Sequence, residues 1–341
     1  MRGIDQPDSP NIFNISNMKR ITSIAAGIVM AALSVSSIHA LRLEKVNYGD
    51  FSNWITRNIK ESAILGGNTK TIYAIGPAYT INDAVAYRPS GGTPWATSNV
   101  YAKVSGVTKA SGSVTPFDRG GGNKCAKMET ILEKVKVAGA VTLNVIVPGT
   151  IYFGRVYEPI TSTKNPYSKM EMGIPYTKRP AALVYDYKVT IPPGNTRQKA
   201  NGLGEPQNLS GKDACEVYVL LQRRWEDAKG NIYAKRVGTG RERFTSSTSG
   251  WVNAHQLPIY YGDITKKSFY KPYMGLLDGS KACYARNSKG KLVPVHEIGW
   301  DDPNATPTHV MLMMSSGSGE PYVGTVGNTL YVDNLAFGFN S

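Results

Sequence analysis

Aromatic side chains are the most informative chemistry in this 341-residue chain, which carries 20 Tyr and 5 Trp. The C–H face of a sugar ring can stack on an aromatic ring, while Asn, Asp, Gln, Arg or Lys at the rim of a preformed pocket bind the sugar hydroxyls. Aromatic rings also fill sandwich cores, where we expect Trp54, Trp95 and Trp251. The candidates for a carbohydrate-binding site, in expected loops or at strand ends, are Tyr157, Trp225, Tyr273, Trp300 and Tyr322.

Carboxylates could supply a different chemistry, the hydrolysis of a glycosidic bond. Glycosidases generally place two carboxylates across the sugar, roughly 5–9 Å apart. The glutamates on or beside expected strands are Glu158, Glu171, Glu216 and Glu226. Each has the polar sequence setting of a solvated strand residue and lacks the apolar setting of a proton donor. The sequence therefore specifies no catalytic pair, and the catalytic residues stay unknown.

Other catalytic motifs are missing from the sequence. There is no G-x-S-x-G nucleophile elbow, and His296-Glu297 lacks the second His of a zinc-protease helix. His255, His296 and His309 share no metal-ligand spacing. Three hypotheses for the function remain open: a binding protein, a glycoside hydrolase, and a structural or adhesive surface protein.

The first forty residues have the layout of a secretory signal peptide. Lys19 and Arg20 give a positive start, and the apolar run from Ile24 to Val35 is too short to span a bilayer. We predict a gene-model extension or disordered tail over residues 1–17, a signal peptide over 18–40 and one domain over 41–341. We expect an exported protein, in the periplasm, on the outer surface or extracellular, with no membrane span. No Cys lies near the cleavage site, which argues against a lipoprotein.

The mature chain would be strongly basic. Removing the three basic and two acidic residues of positions 1–40 from the totals of 39 and 25 leaves 36 and 23, a net charge of +13. Such a surplus usually indicates nucleic acid, an anionic surface or an acidic polymer as partner. Export makes nucleic acid the least expected of these, so an anionic glycan is favoured if the ligand is a carbohydrate. The alternative is that the charge only aids solubility.

Cysteine usage excludes a disulfide framework. The chain has three cysteines, Cys125, Cys215 and Cys283, an odd and sparse set. One disulfide could form in an oxidising compartment, and its pairing is open. No two of the three have the spacing of a structural zinc site.

Strand-like segments separated by Gly, Pro and Asn turns dominate the rest of the chain. Thr150–Tyr157 follows a Pro-Gly turn, and Glu216–Trp225 pairs by pattern with Ile232–Val237. Many short strands of this kind predict an all-β sandwich or barrel. We expect one or two short helices. The best candidate is the window Asp50–Ser62, because Trp54, Ile55 and Ile59 share a helical face.

Two polar stretches without apolar periodicity are expected to be long loop insertions. They cover Asn195–Lys212 and Lys266–Pro307, and the second contains Tyr273 and Trp300. Long loops inside compact domains are often functional. Two of the five aromatic candidates would therefore be carried by one insertion.

Blocks along almost the whole mature chain resemble, in order, the putative carbohydrate metabolism domain, a family of secreted bacterial β-jelly-roll proteins. The closing block has a Gly/Ser-rich turn and a final strand with an acidic residue, which is similar to the end of jelly-roll carbohydrate-binding modules. The blocks are Phe51–Trp54, Trp95–Asn99, Lys124–Thr130, Pro148–Arg155, Gly173–Tyr187, Trp251–Tyr260 and Met314–Phe337.

The resemblance implies a jelly-roll β-sandwich and a role in glycan recognition or utilisation, with carbohydrate as the partner. It does not by itself imply catalysis. In similar carbohydrate-binding modules, a carboxylate near the final strand helps bind a structural calcium, so Asp333 is a candidate metal ligand. An Asp that caps a turn is the alternative, and no other cofactor is implied.

Overall fold

Strands provide nearly all the regular structure of this chain. A computed structural model describes residues 40–104, 106–137 and 141–341. The predicted tail (1–17) and all but the last residue of the predicted signal peptide (18–40) therefore lie outside the described residues. Within them no helix is long and apolar enough to cross a membrane.

The strands of the described residues are, in chain order, β1 (Arg42–Lys45), β2 (Trp54–Lys60), β3 (Thr69–Ile75), β4 (Thr80–Asn82), β5 (Trp95–Thr97), β6 (Val100–Val104), β7 (Val107–Ser111), β8 (Val114–Gly120), β9 (Asn123–Glu129), β10 (Ile131–Val137), β11 (Val141–Val147), β12 (Thr150–Val156), β13 (Met170–Met172), β14 (Ile174–Pro175), β15 (Ala182–Thr190), β16 (Gln198–Lys199), β17 (Asn201–Leu203), β18 (Gln207–Asn208), β19 (Cys215–Glu226), β20 (Ile232–Phe244), β21 (Val252–Pro258), β22 (Tyr260–Tyr261), β23 (Tyr284–Arg286), β24 (Leu292–Trp300), β25 (His309–Ser315), β26 (Val323–Gly324) and β27 (Thr329–Phe339). Helical segments of this part of the chain are short 3-10 turns at Ala63–Leu65, Pro166–Lys169, Pro272–Met274 and Gly279–Lys281. The prediction of an all-β chain is confirmed.

Two large sheets pack face to face. One has six strands in the order β21-β15-β27-β9-β8, with β1 paired to β27. The other has ten, in the order β14-β25-β19-β20-β24-β23-β13-β12-β5, with β22 paired to β20. Alternate residues of both sheets, among them Val217 and Val219 on β19 and Leu330 and Val332 on β27, form one buried apolar core between them. The predicted β-sandwich is confirmed.

The ten-stranded sheet also curls around a second apolar cluster. Its path of hydrogen bonds closes on itself because β12 pairs with β25 through residues 150–152 and with β13 through residues 154–156. The opposite set of alternating side chains, including Tyr218, Leu220 and Met313, packs inside this curl. The large sheet therefore has an inner face, which lines the curl, and an outer face, part of which the six-stranded sheet covers.

The helix predicted over Asp50–Ser62 is wrong. Residues Trp54–Lys60 form strand β2, which pairs with β3 and β4. The side chains of Ile55, Arg57 and Ile59 alternate into the protein and are fully buried or nearly so. The sequence does not show this period of two, because the charged residue Arg57 occupies one of the core positions. Its charge is balanced by Glu158, at 2.6 Å.

The two predicted insertions are only partly loops. Lys266–Pro307 contributes strands β23 and β24 to the large sheet, and β24 runs parallel to β20. Asn195–Lys212 contains the three short strands β16, β17 and β18. Its polar sequence gave no strand signal because these strands bury little apolar surface.

Of the three tryptophans that we expect in the core, two are buried there. Trp54 is 6% exposed and Trp95 is fully buried. Trp251 instead lies on the surface of the six-stranded sheet, where the Arg119 guanidinium sits 4.0 Å from the centre of its ring. A cation packed on the ring replaces the apolar neighbours that the sequence suggested.

The three cysteines are separate, buried thiols. Burial raises the pKa of Cys125 to about 12 and that of Cys283 to about 11. Both thiols are therefore protonated at neutral pH and unsuited to nucleophilic chemistry.

Candidate functional site

A cavity of about 1220 Å³ opens on the inner face of the curled sheet. We call it the groove. Its floor is made by side chains of β13, β19, β20 and β25, including Tyr218, Arg241, Arg243 and Met313. Its walls come from three loop segments, residues 163–167, 272–284 and 318–322, and from residues 197–201. Strand alternation explains the floor, because Val217 and Val219 face the core between the sheets and Tyr218 faces the groove.

A buried carboxylate organises the floor. Glu216 is fully buried and accepts hydrogen bonds from Arg241 Nε (3.0 Å) and Nη2 (3.1 Å) and from Arg243 Nε (2.7 Å). Burial disfavours the charge on Arg241, but Glu216 more than offsets this and holds the pKa of Arg241 above its ordinary value. Because one carboxylate faces two guanidinium groups, the floor keeps a net positive charge.

Arg241 still has an unused donor. Its side chain lines the groove although the residue is only 8% exposed, and its Nη1 has no hydrogen-bond partner among the described residues. An unpaired buried donor costs about 1–3 kcal/mol, and more when it is charged. Protein atoms cover Nη1, so the guanidinium acts on an anionic ligand in the groove through its charge.

Basic side chains dominate the lining as a whole. Among the described lining residues, the acidic one is Glu320, and its carboxylate is paired with Arg197. The six basic lining residues are Lys164, Arg197, Lys199, Arg241, Arg243 and Lys281. Low-dielectric walls lined by one sign of charge concentrate counter-ions of the other sign. The groove is therefore suited to a negatively charged ligand.

Tyrosines complete the lining. The Arg243 guanidinium lies 4.5 Å from the ring centre of Tyr273, which holds both side chains at the groove wall. The hydroxyl of Tyr167 donates to the carbonyl of Gly319 at 2.6 Å, and Asn165 donates to the hydroxyl of Tyr284 at 2.9 Å. These contacts tie loops from distant parts of the chain to one another around the groove.

Asp213 anchors the wall formed by residues 318–322. It is fully buried and accepts hydrogen bonds from the hydroxyl of Ser318 (2.8 Å), the backbone N–H of Thr325 (3.1 Å) and the side chain of Asn328 (3.2 Å). The wall carries Tyr322, whose backbone has a φ of 59°. No local pattern in the sequence points to Asp213, because its three partners lie more than a hundred residues away.

The structure divides the five aromatic candidates. Tyr273 and Tyr322 line the groove. Tyr157, Trp225 and Trp300 do not: Tyr157 donates to Glu171, and Trp225 is 38% exposed elsewhere on the sheet. Trp300 packs on Arg236, whose guanidinium carbon is 5.6 Å from the ring centre.

The four glutamates considered for catalysis have different surroundings. Glu158 is buried against Arg57 and also accepts the backbone N–H groups of Tyr87 and Tyr101. Glu226 is exposed and binds Ser288, and Glu171 binds Tyr157. Glu216 alone of the four lies at the groove, where two arginines occupy its oxygens.

Asp333 does not have the surroundings of a calcium ligand. Its fully buried carboxylate accepts hydrogen bonds from Arg119 (2.8 Å), Asn123 (3.1 Å) and the N–H of Asn334 (2.8 Å). A guanidinium at this distance repels a second cation, and calcium needs six to eight oxygens. Within the described part of the chain, no three His, Cys, Asp or Glu side chains are grouped so as to hold a metal.

A family model decides the classification of this chain. The model of the putative carbohydrate metabolism domain matches residues 71–258, more than half of the sequence. The chain belongs to this family. The match contains four of the seven blocks that carry the resemblance and most of a fifth, Trp251–Tyr260, and the floor strands β19 and β20 lie within it. The putative carbohydrate metabolism domain thus supplies Glu216, Arg241 and Arg243, whereas Tyr273 and Tyr322 come from the segment after the matched region.

Two solved structures resemble the chain at low identity. One is titled a putative glycoside hydrolase from Bacteroides thetaiotaomicron, with 17% identity, a TM-score of 0.43, and coverage of 81% of this chain and 76% of that one. The other is titled a putative glycoside hydrolase from Bacteroides vulgatus, with 14% identity, a TM-score of 0.40, and coverage of 87% and 94%. Among curated proteins, none matches the chain.

Proposed function

We propose that this protein binds carbohydrate in the groove, and that anionic glycans bind more tightly than neutral ones. The observation that carries the proposal is the lining, in which six basic side chains accompany Tyr273 and Tyr322. Tyrosine rings offer stacking faces, and guanidinium groups offer charge-assisted hydrogen bonds to carboxylate or sulfate. Membership of a carbohydrate metabolism family supports a sugar as the ligand.

The size of the groove favours an oligosaccharide. Pockets for drug-sized ligands occupy about 300–1,000 Å³, and the groove is larger, at about 1220 Å³. Open walls on several loops would let a longer chain continue beyond the bound units. A segment of a polysaccharide fits this description better than a free monosaccharide.

Hydrolysis is the alternative function, and the lining favours binding over it. A glycosidase needs two carboxylates across the sugar. The described lining residues supply one carboxylate, that of Glu320, and it is paired with Arg197. Glu216, beneath the lining, has its oxygens occupied by Arg241 and Arg243.

A glycan array followed by titration calorimetry tests the binding proposal. We expect the purified mature protein to retain acidic glycans, and the affinity to fall as salt rises, because exposed charges are screened beyond about 8 Å at physiological ionic strength. Neutral glycans of the same length should bind more weakly and with little salt dependence. Equal binding of neutral and acidic glycans would remove the anionic preference, and an array with no retained glycan would refute the proposal.

We also propose that the protein is exported, which rests on the basic and apolar pattern of residues 18–40. N-terminal sequencing of the protein from its native cells should begin near Leu41. Recovery of the uncleaved chain from the cytoplasm would contradict export.

A further inference from the structure

A polar cluster lies at one end of the six-stranded sheet, on the face turned away from the core. Leu330 and Val332 of β27 face the core between the sheets, so Asp333 belongs to the opposite face. We call this group the Arg119 cluster. It consists of Arg119 on β8, Asn123 on β9, Asp333 and Asn334 on β27, Asp186 on β15 and Asn253 on β21. These six residues are separate from those that line the groove.

Two buried carboxylates hold Arg119 in place. Its Nη1 donates to Asp186 at 2.7 Å and to Asp333 at 2.8 Å, and its Nη2 donates to Asn253. The guanidinium also packs on the ring of Trp251, 4.0 Å from the ring centre. Because β8 and β21 are the two edges of the sheet, this end of the sheet is curved enough to bring both edges to one guanidinium. The centre of the cluster is therefore fixed before any ligand arrives.

Three exposed amides around Arg119 each keep one atom for another partner. A guanidinium only donates hydrogen bonds and a carboxylate only accepts them. Asn253 turns its Oδ1 to Arg119, which leaves its Nδ2 as a donor. Asn123 and Asn334 turn their Nδ2 groups to Asp333 (3.1 Å) and Asp186 (2.9 Å), which leaves each Oδ1 as an acceptor. Solvent therefore meets one fixed donor and two fixed acceptors.

The same carboxylates also hold an uncommon backbone conformation. Ala254 has a φ of 50° and Asn334 a φ of 52°, in the left-handed region that residues with a Cβ rarely adopt. The N–H of Ala254 donates to Asp186 at 2.7 Å, and the N–H of Asn334 donates to Asp333 at 2.8 Å. Backbone of this kind gathers at ligand-binding sites, where the surrounding structure maintains it. Here it orients two of the three amides.

The charges around the cluster balance. Two carboxylates face Arg119, and Lys188, at the next position on the same face of β15 as Asp186, adds a second positive charge. On the β8–β9 hairpin, Asp118 pairs in register with Lys124, one charge of each sign. In contrast to the groove, the cluster is therefore suited to an uncharged ligand with groups that both donate and accept hydrogen bonds.

We propose that the Arg119 cluster binds a single neutral sugar unit, as a site separate from the groove. Sugar hydroxyls donate to Oδ1 of Asn123 and Asn334 and accept from Nδ2 of Asn253. The sugar nature of this ligand rests on the proposed function, whereas the site rests on residues that the groove does not use. A small exposed site of this kind binds weakly, with a dissociation constant of about 1 mM. One molecule can thus contact neutral as well as anionic units of a glycan.

The test uses the full mature protein, isotopically labelled, and the methyl glycosides of glucose, galactose and mannose in NMR titrations. At least one of the three should shift the backbone N–H signals of Ala254 and Asn334. Asn253→Asp keeps an oxygen for Arg119 but replaces the unused donor with an acceptor, so it should weaken that glycoside by at least about fivefold. Gln256→Glu is the matched control, the same amide-to-acid change at an exposed position of the same strand, and it should leave the affinity unchanged.

Urea denaturation separates binding from a purely structural role. Asn253→Asp should unfold like the wild type, because Arg119 keeps its acceptor. Lower stability together with lost binding would assign Asn253 to the fold and overturn the proposal. So would equal losses in Asn253→Asp and Gln256→Glu, or three glycosides that leave Ala254 and Asn334 unshifted.

An oligogalacturonide, titrated in parallel, distinguishes the two sites. If it binds while the glycosides do not, the Arg119 cluster is refuted and the groove stands. If a glycoside binds at the cluster and the oligogalacturonide does not bind, the groove is refuted and the cluster stands.

Discussion

Replacing Arg236 with methionine should lower the free energy of unfolding by about 3–5 kcal/mol, the cost of leaving a buried charge without its partner. Arg236 and Glu297 are both fully buried, with Arg236 Nε 2.6 Å from Glu297 Oε1. Gln222 and the N–H of Leu277 donate to the same carboxylate, each at 2.5 Å. Burial opposes the ionisation of Glu297, but Arg236 outweighs it and holds the pKa of Glu297 below its ordinary value.

Urea denaturation of the purified variant measures this effect. The double variant Arg236→Met with Glu297→Leu is the control, because removing both charges should restore much of the lost stability. A loss below about 1 kcal/mol in the single variant would show that the pair is solvated. Since Leu277 also lines the groove, the single variant should weaken glycan binding as well.

Replacing Arg243 with glutamine should weaken binding of an anionic oligosaccharide by about ten- to a hundredfold, because a hydrogen bond to a charged group contributes about 1.5–3 kcal/mol. The substitution leaves Glu216 paired with Arg241, so the floor stays intact. A neutral oligosaccharide of equal length should lose little affinity. Tyr273→Ala should weaken both ligands, because stacking does not depend on their charge.

Titration calorimetry of these variants separates the two contributions. Phe117→Ala, on the other sheet, should bind like the wild type. Equal losses for neutral and anionic ligands in Arg243→Gln would mean that Arg243 acts through the structure of the groove and not through charge.

Local pattern predicted the strands that build the floor of the groove. Glu216–Trp225 and Ile232–Val237 have β-branched and aromatic residues on both sides of a Gly turn, and both are strands, β19 and β20. The window around Trp54 failed because a buried arginine, Arg57, interrupts its period of two. Its partner Glu158 is about a hundred residues away, and no local rule pairs them.

The groove itself could be predicted only in part. Residue type and loop setting point to Tyr273 and Tyr322, and both line the groove. Arg241 and Arg243 were missed, although two arginines at alternate strand positions share a face and signal a basic surface. Residue type and loop setting point to Trp300 as well, but its ring packs on Arg236, which comes from another strand. The closure of the sheet decides which loops meet around a site. The linear pattern of residue types does not specify that closure.

A crystal structure of the wild-type protein soaked with an oligogalacturonide tests the central claim most directly. We expect sugar density in the groove, with a carboxylate within hydrogen-bond distance, about 3 Å, of Arg241 or Arg243 and a ring against Tyr273. An oligogalacturonide that binds in solution but lies elsewhere in the crystal, with the groove empty of sugar, would contradict it.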